Sequence, residues 1–182
     1  MPFFDDGKPV QERKRIIELY NGVRPALNAY LCSRGLSQDH SEDIIQETFL
    51  RLVRHTANDG PDDNLRAWVF RVAHNLSMDL HRSERRWFRG NEADGDPIIH
   101  ERVDPAPNPE EMVLLGERVS RFRVALAQLT PKQRECLRLR AKGMRYREIA
   151  LVLGVSVQRV GELMQRAISL VELDPSQKGH RK

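Results

Sequence analysis

Arg71, Asn75, Met78 and Arg82 follow one another by four, three and four residues, with Arg85, Arg86, Trp87 and Phe88 close behind. On a helix this spacing gathers guanidinium groups, a carboxamide and then aromatic rings along one side. Arginines neutralise phosphates, an amide can hydrogen-bond a base edge, and aromatic or guanidinium planes stack on exposed bases. Together that is the chemistry of holding an unpaired nucleic-acid strand. A solvated arginine-rich helix face has the same composition, and the stretch alone leaves both readings open.

Catalytic chemistry finds less support. The six histidines are scattered, and the sequence contains no HExxH, CxxC, GxSxG or phosphate-cradling glycine loop. His74, Ser77 and His81 share a helix face and are read as polar surface rather than as a hydrolytic pair. Cys32 and Cys136 are too few and too far apart for a disulfide framework or a metal knuckle, and are expected to be buried thiols in a reducing cytoplasm. We therefore expect no enzyme, no catalytic residue, no metal and no organic cofactor. No signal peptide is expected from Met1-Pro2-Phe3-Phe4-Asp5-Asp6, and no run of about 18 apolar residues predicts insertion into a membrane.

Charge is segregated along the 182 residues, beneath a formal net charge of only +4. Residues 1–64 carry 8 bases and 11 acids, 65–90 carry 6 and 2, 91–111 carry 1 and 7, and 112–182 carry 15 and 6. Two basic blocks thus flank an acidic spacer. Basic blocks supply the salt-sensitive, sequence-independent part of nucleic-acid affinity.

The elements that must carry these residues are helical. Leu65, Trp68, Val69, Val72, Leu76 and Leu80 predict a buried stripe on one long helix from Asp62 to Gly90, capped by Asp62, Asp63 or Asn64. Upstream, Ile16, Tyr20, Val23, Leu27 and Tyr30 predict an amphipathic helix that Pro25 should kink or interrupt. Asp39-His40-Ser41-Glu42 reads as a capping box opening a helix to about Arg54, with Ile45, Phe49, Leu52 and Val53 inward. Its outer face holds Asp43, Gln46, Glu47, Leu50 and Arg51, which suits either solvent or a docked partner. His55 to Asn64 reads as a loop.

Residues 91–108, with Gly95, Pro97, Pro105 and Pro107 among acids, predict an extended linker. Asn108-Pro109-Glu110-Glu111 and Thr130-Pro131-Lys132-Gln133 each predict a helix start. Met112, Leu115, Val119, Phe122 and Leu126 follow the first, and a helix to about Lys142, ended by Gly143, follows the second. Arg145 to Leu153, then Gly154-Val155-Ser156, then a last helix with Val157, Val160, Met164, Ala167 and Val171 inward describe a helix-turn-helix. The expected fold is all-α: two small helical domains, 10–90 and 109–173, joined by the acidic linker, with a disordered basic tail at 174–182.

At this point the residues resemble the extracytoplasmic-function group of bacterial RNA polymerase sigma factors, over roughly residues 10 to 172. One anchor is Asp43-Ile44-Ile45-Gln46-Glu47-Thr48-Phe49-Leu50-Arg51-Leu52 with Leu65-Arg66-Ala67-Trp68-Val69-Phe70-Arg71-Val72-Ala73-His74-Asn75, Asp79, Arg82 and Arg85-Arg86, similar to sigma region two. The other is Leu129-Thr130-Pro131-Lys132-Gln133-Arg134-Glu135, Tyr146-Arg147-Glu148-Ile149-Ala150 and Leu153-Gly154-Val155-Ser156, similar to region four. The resemblance implies core RNA polymerase as partner, through the coiled coil of its largest subunit and the flap of its second, with Asp43, Gln46, Glu47, Leu50 and Arg51 as the docking face. It implies promoter DNA as the other partner. Asn58, Asn64, Arg71, Asn75, Arg82, Arg85 and Arg86 would hold the unpaired strand of the minus-ten element. Lys142, Arg145, Arg147, Ser156, Gln158, Arg159, Glu162 and Arg166 would meet the minus-thirty-five duplex. An anti-sigma protein is a further partner of such factors, and the cytoplasm their place of work.

One departure bears on the last helix. Where the family commonly carries basic residues, this chain has Gly161, Leu163 and Ile168, and Glu162 repels phosphate unless it accepts from a cytosine amino group. Leu163 and Ile168 are then candidates to face a protein partner. Two other readings stay open beside the promoter-opening one: a helix-turn-helix regulator acting without polymerase, and a sigma-like interaction protein that no longer reads promoters.

Overall fold

A computed structural model describes residues 10–57, 64–88 and 124–172. Every regular element among them is helical, and the chain divides into two compact units, one built largely from residues before Glu101 and the other largely from those after it. In the first, α1 (Val10–Ser33), α2 (Gln38–Ala57) and α3 (Leu65–Phe88) pack against one another in all three pairings. In the second, residues 124–128 are helical, followed by α4 (Pro131–Ala141), α5 (Tyr146–Leu153) and α6 (Val157–Glu172), with α4 against α6.

The first bundle closes because each helix lends it one apolar face. Leu27, Tyr30 and Leu31 from α1, Ile45 and Leu52 from α2, and Val69, Phe70 and Ala73 from α3 are all fully buried. Each large aliphatic removed from water contributes about 1.5–3 kcal/mol. Tyr20 meets Phe49 edge-on at 4.8 Å, and Tyr30 leans on Phe70 at 5.6 Å. At the surface, Arg24 donates twice to the Glu42 carboxylate, 2.9 Å to each oxygen, tying α1 to α2.

Four local expectations are corrected here. Of the kink or interruption expected at Pro25, the interruption does not occur: α1 runs on through Pro25, whose ring is exposed. Helix α2 is capped not by Asp39 but by Ser37, whose Oγ accepts from the His40 N–H at 3.2 Å and whose carbonyl accepts from Ser41. It also continues to Ala57, which places His55 on the helix and not in a loop. Helix α3 is rotated relative to the sequence reading. Ala67, Phe70, Ala73 and Ser77 join Leu65 and Val69 in the interior, while Trp68, Val72, Leu76 and Leu80 are half-buried. Small side chains lie on that inner face, so the aliphatic stripe flanks the contact instead of filling it.

The second unit follows its punctuation closely. Thr130 Oγ1 accepts from the Gln133 N–H at 3.3 Å and Gln133 Oε1 accepts from the Thr130 N–H at 2.8 Å, a complete capping box. Gly143 and Gly154 end α4 and α5 at φ 78° and 63°, in the left-handed region that other residues enter at a cost. Leu129, Cys136, Leu139, Met144, Ile149, Val160 and Ala167 form its core. Burial pushes the Cys136 thiol up to about 11, so it is inert near neutral pH. Cys32, by contrast, is exposed, contrary to the expectation of two buried thiols.

Two substitutions test this packing. A Cβ added at Gly161 meets nothing within 4 Å, so Gly161→Ala is expected to raise stability by about 1 kcal/mol through helix propensity alone, read as a higher denaturant midpoint. The Thr48 hydroxyl is buried and has no hydrogen-bond partner among the described residues. Thr48→Val is expected to stabilise the first unit by about 1 kcal/mol, since an unsatisfied polar atom leaves with little change of shape. A destabilised Thr48→Val would show that the hydroxyl is satisfied after all.

Candidate polymerase and nucleic-acid interfaces

Helix α2 turns its two sides to different worlds. Ile44, Ile45, Thr48, Phe49 and Leu52 are buried, whereas Asp43, Gln46, Leu50 and Arg51 are exposed and Glu47 is half-exposed. Arg51 Nε donates to Glu47 Oε1 at 2.7 Å. Leu50 stands beside that pair with 50% of its surface open to water, an aliphatic side chain framed by polar ones. An apolar centre with a charged rim has the composition that protein contacts use.

On α3, Arg71, Asn75, Met78 and Arg82 all reach solvent on one ridge. What supports the ridge comes from the end of α1 and the turn that follows it, forty residues away in sequence. The buried Arg34 directs Nη2 to the Met78 sulfur at 3.0 Å and Nη1 toward His74 Nδ1 at 3.4 Å, and His74 Nδ1 is also 2.8 Å from the Tyr30 hydroxyl. Sequence spacing on α3 cannot reveal Arg34, because the contact is tertiary. At the start of the helix, Asn64 Oδ1 accepts from the Ala67 N–H at 3.1 Å and its carbonyl accepts from Trp68. Asn64 is therefore the cap, and only its amide nitrogen is left to meet a base. The Trp68 ring stacks on His55 at 4.7 Å, bracing the end of α2 against the start of α3. Asn58 lies outside the described residues, as do the side chains of Arg85 and Arg86.

Ser77 is fully buried and donates to the His74 carbonyl at 2.6 Å, so it belongs neither to a polar surface nor to a hydrolytic pair.

In the second unit, Arg145, Arg147, Ser156, Gln158, Arg159 and Arg166 are exposed, and Lys142 and Glu162 are half-exposed. Ser156 is also the cap of α6, accepting at Oγ from the Arg159 N–H at 3.1 Å. The polar side of α6 further includes Gln165, which the sequence reading passed over although it stands two turns after Gln158. Leu163 is only 4% exposed and belongs to the core, which corrects its reading as a partner-facing residue. Ile168 is 41% exposed, and Val157, expected inside, is exposed as well.

Two family models match this chain: sigma-70 region 2 over residues 19–87, and sigma-70 region 4 over residues 120–170. The chain is 31% identical over 146 residues to the ECF RNA polymerase sigma factor EcfG of Rhodopseudomonas palustris, covering 80% of this chain and 76% of that one. The chain belongs to the extracytoplasmic-function sigma factors. It is also 31% identical to the RNA polymerase sigma factor CnrH of Cupriavidus metallidurans, over 78% of each chain. Among solved structures it resembles the sigma factor RpoE of Bartonella quintana, crystallised with the anti-sigma factor NepR, at a TM-score of 0.61 and 25% identity, covering 92% of this chain and 99% of that one.

This sigma factor binds core RNA polymerase and promoter DNA and directs promoter recognition and opening for transcription initiation. Its region-two match contains the α2 face and the α3 ridge, and its region-four match contains α4, α5 and most of α6. No helix among the described residues is long and apolar enough to cross a membrane.

Proposed function

We propose that this sigma factor divides its work between two faces of one rigid bundle and a third on α6. Asp43, Gln46, Glu47, Leu50 and Arg51 dock on the coiled coil of the polymerase's largest subunit. Arg71, Asn75 and Arg82, with Asn58, Asn64, Arg85 and Arg86, hold the unpaired strand of the minus-ten element. Gln158, Arg159, Glu162 and Arg166, with Lys142, Arg145, Arg147 and Ser156, meet the minus-thirty-five duplex near the flap of the second subunit. On this reading residues 10–90 and 109–173 are the working domains, 91–108 is an acidic tether and 174–182 a basic tail. The chain performs no chemistry of its own and acts in the bacterial cytoplasm, where polymerase is. The solved complex of RpoE with NepR supports an anti-sigma partner as its means of restraint.

The observation that carries the reading is the exposure of Leu50 beside a buried Ile44, Ile45 and Leu52 on the same helix. That leaves its aliphatic surface open to a partner inside a polar rim. Strand opening is then a matter of differential affinity. A face that binds unpaired bases and not the duplex shifts the equilibrium toward the melted state. Unstacking each captured base costs about a few kcal/mol, which contacts to the single strand must offset.

Transcription from a cognate promoter with purified core enzyme tests this assignment. Initiation should depend on adding the chain and should fall steeply as salt rises. Absence of stable binding to core polymerase at moderate salt would contradict it.

A further inference from the structure

Met78 stands on the α3 ridge between Asn75 and Arg82 and is 36% exposed, whereas Met144 and Met164 are buried at 0% and 4%. Its sulfur rests on a buried cation: Arg34, 7% exposed, donates from Nη2 to Met78 Sδ at 3.0 Å. A thioether is a weak acceptor, and the same guanidinium bonds a strongly polar oxygen far better. We propose that Met78 is a modification site: a hydroperoxide oxidises its thioether to the sulfoxide, Arg34 receives the new oxygen, and promoter opening falls while core binding persists. The proposal rests on the assignment of the α3 ridge to the opened strand.

Sulfur supplies the electrons. Its lone pair attacks the outer oxygen of the hydroperoxide, the O–O bond breaks, and the proton on the transferred oxygen passes to the departing alkoxide or hydroxide, which leaves as alcohol or water. Sulfur is thereby oxidised by two electrons and the peroxide reduced by two. The S–O bond formed is strongly polarised, with negative charge on oxygen. Arg34 offers that oxygen a charge-assisted hydrogen bond from inside the bundle, so the oxidised side chain has a seat in the fold. Burial pushes the Cys136 thiol up to about 11 and keeps it out of this chemistry, while Cys32, exposed on α1, is the thiol that the experiment has to separate.

The consequence for the ridge is geometric. A contact of 3.0 Å leaves no room for an oxygen between nitrogen and sulfur. The guanidinium is held in place from its other arm, because Nη1 is 3.4 Å from His74 Nδ1, which is itself 2.8 Å from the Tyr30 hydroxyl. The Met78 side chain therefore has to turn, carrying its sulfur and methyl group away from their place on the ridge. A flexible apolar group suited to lie against a base face becomes a polar one, whose oxygen meets a strand rich in phosphate and base acceptors. Core binding is assigned to the α2 face, to which Met78 does not belong.

The test treats the full chain with hydrogen peroxide, removes the peroxide, reduces thiols with dithiothreitol and only then adds core polymerase. Peptide mass mapping should place an added oxygen on Met78 while Met144 and Met164 stay unmodified. The oxidised chain should keep its thermal midpoint and its affinity for core, and should open a promoter about fivefold to fiftyfold less well than untreated chain, the loss of about one base contact. Dithiothreitol leaves a sulfoxide in place, so the defect should survive it and disappear after methionine sulfoxide reductases for both epimers have acted. Met78→Leu and Cys32→Ser are each compared with their own untreated forms: the first should lose its sensitivity to peroxide and the second should keep it. A Met78 that stays a thioether in the folded chain, or a sulfoxide there that leaves opening unchanged, overturns the inference. Joint loss of core binding and thermal stability overturns it as well, because oxidation would then merely unfold the bundle. The ridge assignment is judged separately, on untreated chain with Arg71 and Asn75 replaced.

Discussion

Leu50→Glu is expected to weaken binding to core polymerase by about thirtyfold to several hundredfold while leaving thermal stability close to wild type. The side chain is half open to water, so the bundle loses little when it changes. A docked partner loses an apolar anchor and must instead desolvate a carboxylate beside Glu47 and Asp43. Truncation of a central interface residue commonly costs about 2–4 kcal/mol, and each 1.4 kcal/mol is a factor of ten. Arg51→Ala is the contrast. Its link to Glu47 is an exposed i,i+4 pair, and its loss should be felt several-fold at most. The two variants are compared by titrating labelled chain against core enzyme. Equal effects would mean that charge and not the leucine organises the surface.

Replacing Arg71 and Asn75 together by alanine is expected to leave core binding intact and to reduce promoter opening by about tenfold to a hundredfold. Both residues are exposed on α3, and neither belongs to the α2 face proposed for docking. Loss of one phosphate contact to a single strand should lower the slope of log affinity against log salt by about 0.7, and loss of base contacts should cost about 1–3 kcal/mol. On a template melted in advance, the variant should recover part of its activity, because it no longer has to stabilise strand separation from the duplex. Arg34→Met probes the support beneath. Removing the guanidinium from under Met78 and His74 should disturb both stability and opening, since it braces the ridge from inside the bundle.

How much of this was legible in the sequence depended on whether the governing contacts were local. Helix ends set by side chains three residues away could be read directly, as at Thr130 and Gln133, and so could the glycine stops at 143 and 154. Exposure of Asp43, Gln46, Leu50 and Arg51 followed from a simple periodicity with one outlying leucine. Features set by packing between helices were not legible. Helix α3 turned small residues inward where the aliphatic stripe had been expected, and Arg34 reached Met78 from the turn after α1. Leu163 was taken as a lost basic contact because the family pattern has a basic residue there, but its place on α6 between Val160 and Ala167 puts it in the core.

Side-chain oxidation by hydroxyl radicals offers the most direct test, because each of the two faces carries one exposed reactive reporter, Leu50 on α2 and Met78 on α3. Footprints are taken of the free chain, of the chain bound to core polymerase, and of the complex on an open promoter. The account predicts that Leu50 becomes protected when core enzyme binds, and that Met78 stays reactive until promoter DNA is added and then becomes protected in turn. Leu50 remaining equally reactive in holoenzyme, or Met78 already shielded without DNA, would contradict the assignment of one face to the polymerase and the other to the opened strand.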